Sequence, residues 1–161
     1  MADTDVRPVP IGADRVTTDD EIEVRSPYDG KLIGTVPTCD ETHVDQAVAA
    51  GRAAMAEPLP MWKRAEILDA AVVALREQQE EFARTIAVES AKPIATARTE
   101  AARAVLTFQF AAAEARTLSG EMVPMDAAEP GVGKLAFTLR VPIGVVGAIS
   151  PFNFQLNLVA H

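Results

Sequence analysis

Apolar positions run without interruption from Ile143 to Ile149, as Ile-Gly-Val-Val-Gly-Ala-Ile, and carry no charge. Such a run reads as a strand covered on both faces, the first strand of a doubly wound parallel sheet. Ser150-Pro151 ends it, because proline cannot donate to a ladder and pushes the preceding residue out of the helical region. Asn153 is a good helix N-cap, and Leu156, Leu158 and Val159 supply the apolar face of the helix expected next. Strand, tight turn and helix together open a unit whose ligands bind beyond the carboxyl end of the strand. Parallel neighbours require long crossovers, so the chain is expected to stop inside its own fold.

Upstream, the pattern changes period several times. Glu21 to Arg25 and Lys31 to Val36 are short strand candidates, and Ser26-Pro27-Tyr28-Asp29-Gly30 between them has the composition of a hairpin turn. Asp40 can cap a helix with Val44, Ala47, Val48, Gly51 and Met55 on one buried face, stopped by Pro58 and Pro60. A single long helix is expected from about Met61 to Ser90, with Leu68, Val72, Leu75, Phe82 and Ile86 on one stripe that only Gln79 interrupts. Its charged positions, Arg76, Glu77, Glu80, Glu81 and Arg84, read as a solvated face.

After the break at Ala91-Lys92-Pro93, Ile94, Ala101, Val105, Phe108, Ala112 and Ala115 describe a third helix, which Ser119-Gly120 ends. Its alanines would let it lie close against a neighbour. Leu135 to Val141 alternates and reads as a half-buried strand. Its inner face could pair with the hairpin at residues 21–36, with an appended sheet or with another subunit.

Composition narrows the function classes. With 48% hydrophobic and 24% charged residues the chain is globular, and its net charge of -8 disfavours nucleic acid or an anionic membrane surface as partner. No apolar run has the length of a membrane span, and residues 1–20 lack the apolar core of a signal peptide, reading instead as a flexible acidic lead-in. One cysteine, Cys39, excludes an intramolecular disulfide and, with only His43 and His161 beside it, any recognisable metal-ligand spacing. A reducing, cytoplasmic location follows as an expectation.

Several blocks carry a family resemblance: SPYDGKLIGTVP in the hairpin, VDQAVAAGRAAM, WKRAEIL, ESAKPIATARTEAARA, LSGE and RVPIGVVGAISPFNFQLNLVAH. From about Ile22 to His161 the chain resembles the amino-terminal part of an NAD(P)-dependent aldehyde dehydrogenase. Its wording is most similar to the branch of lactaldehyde, glyceraldehyde-3-phosphate and phosphonoacetaldehyde dehydrogenases. The fold so implied is α/β and aldehyde dehydrogenase-like but truncated: mostly helical, with an amino-terminal hairpin, an alternating strand and the first strand of the parallel sheet. Residues 21–161 would form an incomplete cofactor-binding domain without the catalytic one.

The resemblance also implies roles. Ile149, Ser150, Pro151 and Phe152 would lie along NAD or NADP, mainly through backbone and apolar contact. Asn153 would donate its amide to an oxyanion hole. When a cysteine thiolate attacks an aldehyde, the carbonyl oxygen becomes negative in the thiohemiacetal, and a preorganised donor stabilises it. Hydride would pass to the nicotinamide, and a water activated by a glutamate would release the acid. The family's cofactor lysine, phosphate loop, base and nucleophile all follow the position matching His161, and Cys39, in a scaffold position, reads as an inert thiol. On spacing alone Asn153 would be a helix cap, and only the resemblance assigns it to catalysis.

Two departures stand out. Gln155 occupies a position where the family usually has proline, and Ala91 one where it commonly has glycine, a costly change if that residue has positive φ. The expected activity is oxidation of a small aldehyde to its acid in the complete enzyme, with the 161-residue chain inactive alone. Its expected partners are a homo-oligomer or a missing carboxyl-terminal portion. The alternatives are half of a split enzyme, or a noncatalytic module docking on a full-length relative.

Overall fold

A computed structural model describes residues 6–161. The chain opens with two antiparallel hairpins. β1 (Val9–Ile11) pairs with β2 (Asp14–Val16), so part of the expected acidic lead-in is ordered; residues 1–5 lie outside the described residues. Gly12 has φ of 60°, which lets the chain reverse at this tight turn. β3 (Glu21–Arg25) pairs with β4 (Leu32–Pro37) as the sequence predicts. Their turn is closed by Gly30 N–H donating to the Ser26 carbonyl at 2.8 Å, with Gly30 at φ 72°.

α1 (Glu41–Ala54) begins where Asp40 predicts it, and the Asp40 carboxylate accepts from the N–H groups of Thr42 and His43. The expected buried face is only partly realised: Val48 and Gly51 are half-buried, whereas Val44, Ala47 and Met55 are exposed. The described residues that meet this helix include β1 and Val145, whose Cγ2 would lie 3.1 Å from a Cβ added at Gly51. An amphipathic stripe states that a face prefers burial; a neighbour must supply the cover.

The single long helix expected over 61–90 is two. α2 (Met61–Glu77) and α3 (Gln79–Ser90) meet at Gln78, whose φ of -103° and ψ of 10° leave the helical region. No glycine or proline marks the break, and its only trace in the sequence is the polar Gln79 in the stripe. The longest helix is instead α4 (Ile94–Thr117). It packs against both segments, and the bend lets each of them follow it.

The core is made largely of small residues. Ala83 and Ile86 of α3 bury against Ala97 and Ala101 of α4, flanked by Phe82, Ala87 and Leu156. Ala65, Val72, Ala104, Val105 and Ala112 are buried as well. Small side chains bring helix axes close, so the packing gains dispersion contacts from backbone as well as side chains. Arg98 reinforces the contact by gripping both carboxylate oxygens of Glu80 at 2.8 Å.

Beyond α4, β5 (Met122–Val123) and β6 (Ala136–Phe137) form a short antiparallel ladder, so only two residues of the alternating stretch 135–141 lie in a strand. The strand expected at Ile143–Ile149 does not form: residues 138–151 have no regular secondary structure, and residues 137–153 are exposed throughout. A strand exists only through its ladder, and no described strand pairs with this run. A 3-10 turn (Phe152–Phe154) and the short α5 (Gln155–Ala160) follow, and α5 returns to pack on α4. No helix among the described residues is long and apolar enough to cross a membrane.

Candidate functional site

The residues singled out by sequence are contiguous at the junction between the unpaired segment and the 3-10 turn. Ile149, Ser150, Pro151, Phe152 and Asn153 are all exposed. Pro151 has φ of -63° and ψ of 147°, an extended conformation that delivers the chain into the turn. The cap role allowed for Asn153 is not what the structure shows. Phe154 is the N-cap residue of α5, and its own side chain makes no cap hydrogen bond.

What holds this turn comes from elsewhere in the chain. Glu100 of α4 is completely buried, and its two oxygens have separate tasks. Oε2 accepts from Lys92 Nζ at 2.5 Å, and Oε1 accepts from the Leu156 backbone N–H at 3.0 Å. Lys92 also donates to the Asn153 carbonyl at 2.8 Å, and its ammonium lies 4.6 Å from the centroid of the Phe154 ring. A buried carboxylate is tolerated only when paired and hydrogen-bonded, and here both conditions are met. At the next residue of α5 after Leu156, the buried Asn157 side-chain oxygen accepts from the Thr107 hydroxyl at 3.2 Å. Gln155, at the position of the departure, has a buried Oε1 without a partner among the described residues.

Lys92 reaches this position through Ala91, which ends α3 in the left-handed region at φ 53° and ψ 26°. The substitution of alanine for glycine noted in the sequence therefore sits at a position of positive φ. Ser90 bonds back to the Ile86 carbonyl at 2.6 Å, and the chain turns sharply before α4 begins.

Sequence reasoning missed Lys92 and Glu100. A signal was present for the second: Glu100 lies three residues after Ala97 and four before Ala104, on the apolar stripe of α4. A charge in that place requires a partner, but which of the chain's basic residues supplies it depends on how α3 and α5 pack. Cys39 lies exposed between β4 and α1, and His43 belongs to the start of α1, where its ring Nδ1 is 2.6 Å from Asp40 Oδ1. Neither belongs to the turn at Asn153.

The arrangement can do two things chemically. It presents an amide side chain from a backbone tied at both ends, and it leaves beside it an apolar surface with free peptide groups, suited to a flat, partly polar ligand.

Comparisons with known proteins bear on the family and the fold. The profile of the aldehyde dehydrogenase family matches residues 15–161. Among curated relatives, a 3-sulfolactaldehyde dehydrogenase from Priestia aryabhattai is 38% identical over 145 residues, covering 90% of this chain and 30% of the relative. A lactaldehyde dehydrogenase from Methanocaldococcus jannaschii is 35% identical over 144 residues, covering 88% and 30%. Among solved structures, the chain is similar to aldehyde dehydrogenase 21 from Physcomitrella patens in complex with succinate, with a TM-score of 0.88 and 33% identity, covering 96% of this chain and 33% of that one. It is also similar to an NADP-dependent glyceraldehyde-3-phosphate dehydrogenase from Bacillus halodurans complexed with NADP, with a TM-score of 0.87 and 31% identity, covering 95% and 33%. The chain thus spans about 30% of the length of the curated relatives it matches. With its family profile matched across nearly the whole chain, and its helices and hairpins in the arrangement of these solved enzymes, the chain belongs to the aldehyde dehydrogenase family.

Proposed function

We propose that this chain supplies the oxyanion donor and one wall of the dinucleotide site of an enzyme that oxidises a small aldehyde to its carboxylic acid. The observation that carries the reading is an exposed Asn153 on a turn held at the Asn153 carbonyl and at the Leu156 N–H, within a chain that matches the family profile. In this scheme the Asn153 side-chain N–H donates to the aldehyde oxygen as that oxygen gains charge during attack by a cysteine thiolate. Ile149, Ser150, Pro151 and Phe152 bind NAD or NADP through exposed backbone groups and apolar surface. Bound NAD(P) supplies the oxidant. The apolar face also keeps water from the reacting carbon until the acid is to be released.

The aldehydes named for the relatives, lactaldehyde and 3-sulfolactaldehyde, support a small hydroxylated aldehyde as the substrate class. The nucleophile and base belong to the remaining portion that such relatives contain. The 161 residues therefore form no NADH by themselves, and gain activity when that portion is supplied.

The test joins this chain to the matching remainder of the Priestia aryabhattai enzyme and follows lactaldehyde-dependent NADH and NADPH formation. Asn153→Ala is expected to lower kcat about 10²-fold or more with little change in KM, as for loss of one oxyanion donor. An unchanged kcat in a folded variant would remove Asn153 from the mechanism.

A further inference from the structure

The one fully buried carboxylate among the described residues, Glu100, is spent on the backbone of the turn that carries Asn153. We propose that Glu100 and Lys92 are positioning residues that fix the Asn153–Leu156 turn in its working shape. The consequence for turnover rests on the oxyanion reading of Asn153 given above.

Three observations support it. First, the pair grips the turn at both ends, with Lys92 on the Asn153 carbonyl at 2.8 Å and Glu100 on the Leu156 N–H at 3.0 Å. Second, both residues are distant from the turn in sequence: Glu100 sits on α4, and Lys92 lies in the three-residue link between α3 and α4, two helices packed into the core, so the grip is referred to that frame. Third, the turn has little else to hold it. The segment before it has no ladder, the N-cap residue Phe154 makes no cap bond of its own to α5, and Gln155 lacks the ring that would fix φ at the first helical position.

Energetics point the same way. A buried ion pair often stabilises a fold no better than a well-packed apolar pair of similar size, because desolvation offsets the attraction. Lys92 and Glu100 contribute something that methionine and leucine would not, a directed donor to one carbonyl and a directed acceptor from one amide.

The distinguishing variant is the double substitution Lys92→Met with Glu100→Leu, which removes the pair without leaving a buried charge unpaired. Amide exchange is measured at Leu156 relative to Val105, a buried position within α4 that reports on the frame. The ratio is expected to rise at least about tenfold over wild type. A ratio unchanged from wild type overturns the proposal, even if the variant is less stable overall, because global opening moves both amides together.

In the joined enzyme the double variant is expected to lower kcat. Adding Asn153→Ala to it is expected to cost less than Asn153→Ala alone, since the two act as a unit. Fully additive losses overturn the link between turn and catalysis. Lys92→Arg, which can still donate to both oxygens, is expected to restore most of the protection at Leu156, and failure to do so counts against the directed-donor argument. If Asn153→Ala leaves turnover untouched while the exchange ratio still rises in the double variant, the oxyanion reading fails and the positioning stands.

Discussion

Ala91 holds a backbone conformation that an L side chain adopts at a cost, and replacing it offers a direct measurement of that cost. With φ of 53° and ψ of 26° it terminates α3 in the left-handed region, where its Cβ crowds the following carbonyl oxygen by about 1–2 kcal/mol relative to the right-handed form. Glycine has no such penalty, but loses more backbone freedom on folding, about 0.5–1 kcal/mol. Ala91→Gly is therefore expected to stabilise the chain by about 0.5–1 kcal/mol. For a protein of this size that is an increase in Tm of about 2 °C. The assay is paired urea and thermal denaturation of wild type, Ala91→Gly and Ala91→Val. Valine, β-branched, is expected to shift the midpoint the other way. A destabilising glycine, or a neutral valine, would refute the assignment of this residue to the left-handed region. Because Lys92 follows directly, the glycine variant should leave its bond to Glu100 intact, and exchange at Leu156 should be no faster than in wild type.

Two further outcomes are expected. A Cβ at Gly120 would lie 1.7 Å from the Thr138 carbonyl oxygen, so Gly120→Ala should force apart the contact in which the Glu121 N–H donates to the Thr138 hydroxyl, costing about 2 kcal/mol in urea denaturation. A wild-type midpoint would show that the two segments are not held this closely. The hydrogen bonds from Arg98 hold the Glu80 carboxyl below its ordinary 4.5, so its contribution is fully present above that value and is lost as pH falls through the lower, folded one. Glu80→Gln should thus melt slightly below wild type at pH 7, with the gap closing in acid and with added salt. A gap constant across pH would mean the charge is not its source.

Local chemistry alone specified much of this chain. Asp40 could only begin a helix well, Asp29-Gly30 suited a reversal, and the spacing of Leu68, Val72, Leu75, Phe82 and Ile86 placed a stripe on the core. Those features need partners only within a few residues, or need none in particular. The family, too, was legible, because the blocks that carry it are contiguous words of sequence.

Tertiary structure decided the rest. Ile143–Ile149 has the composition of a buried strand, yet a strand's hydrogen bonds belong to its neighbours, and without a described ladder it remains exposed. The bend at Gln78 arises from two segments each following α4, which no propensity encodes. Most tellingly, Asn153 stands out as a candidate from its own segment, whereas what holds its turn does not. Glu100 and Lys92 meet Asn153 and Leu156 only because α3, α4 and α5 pack together, and a buried charge finds its partner in space rather than along the chain.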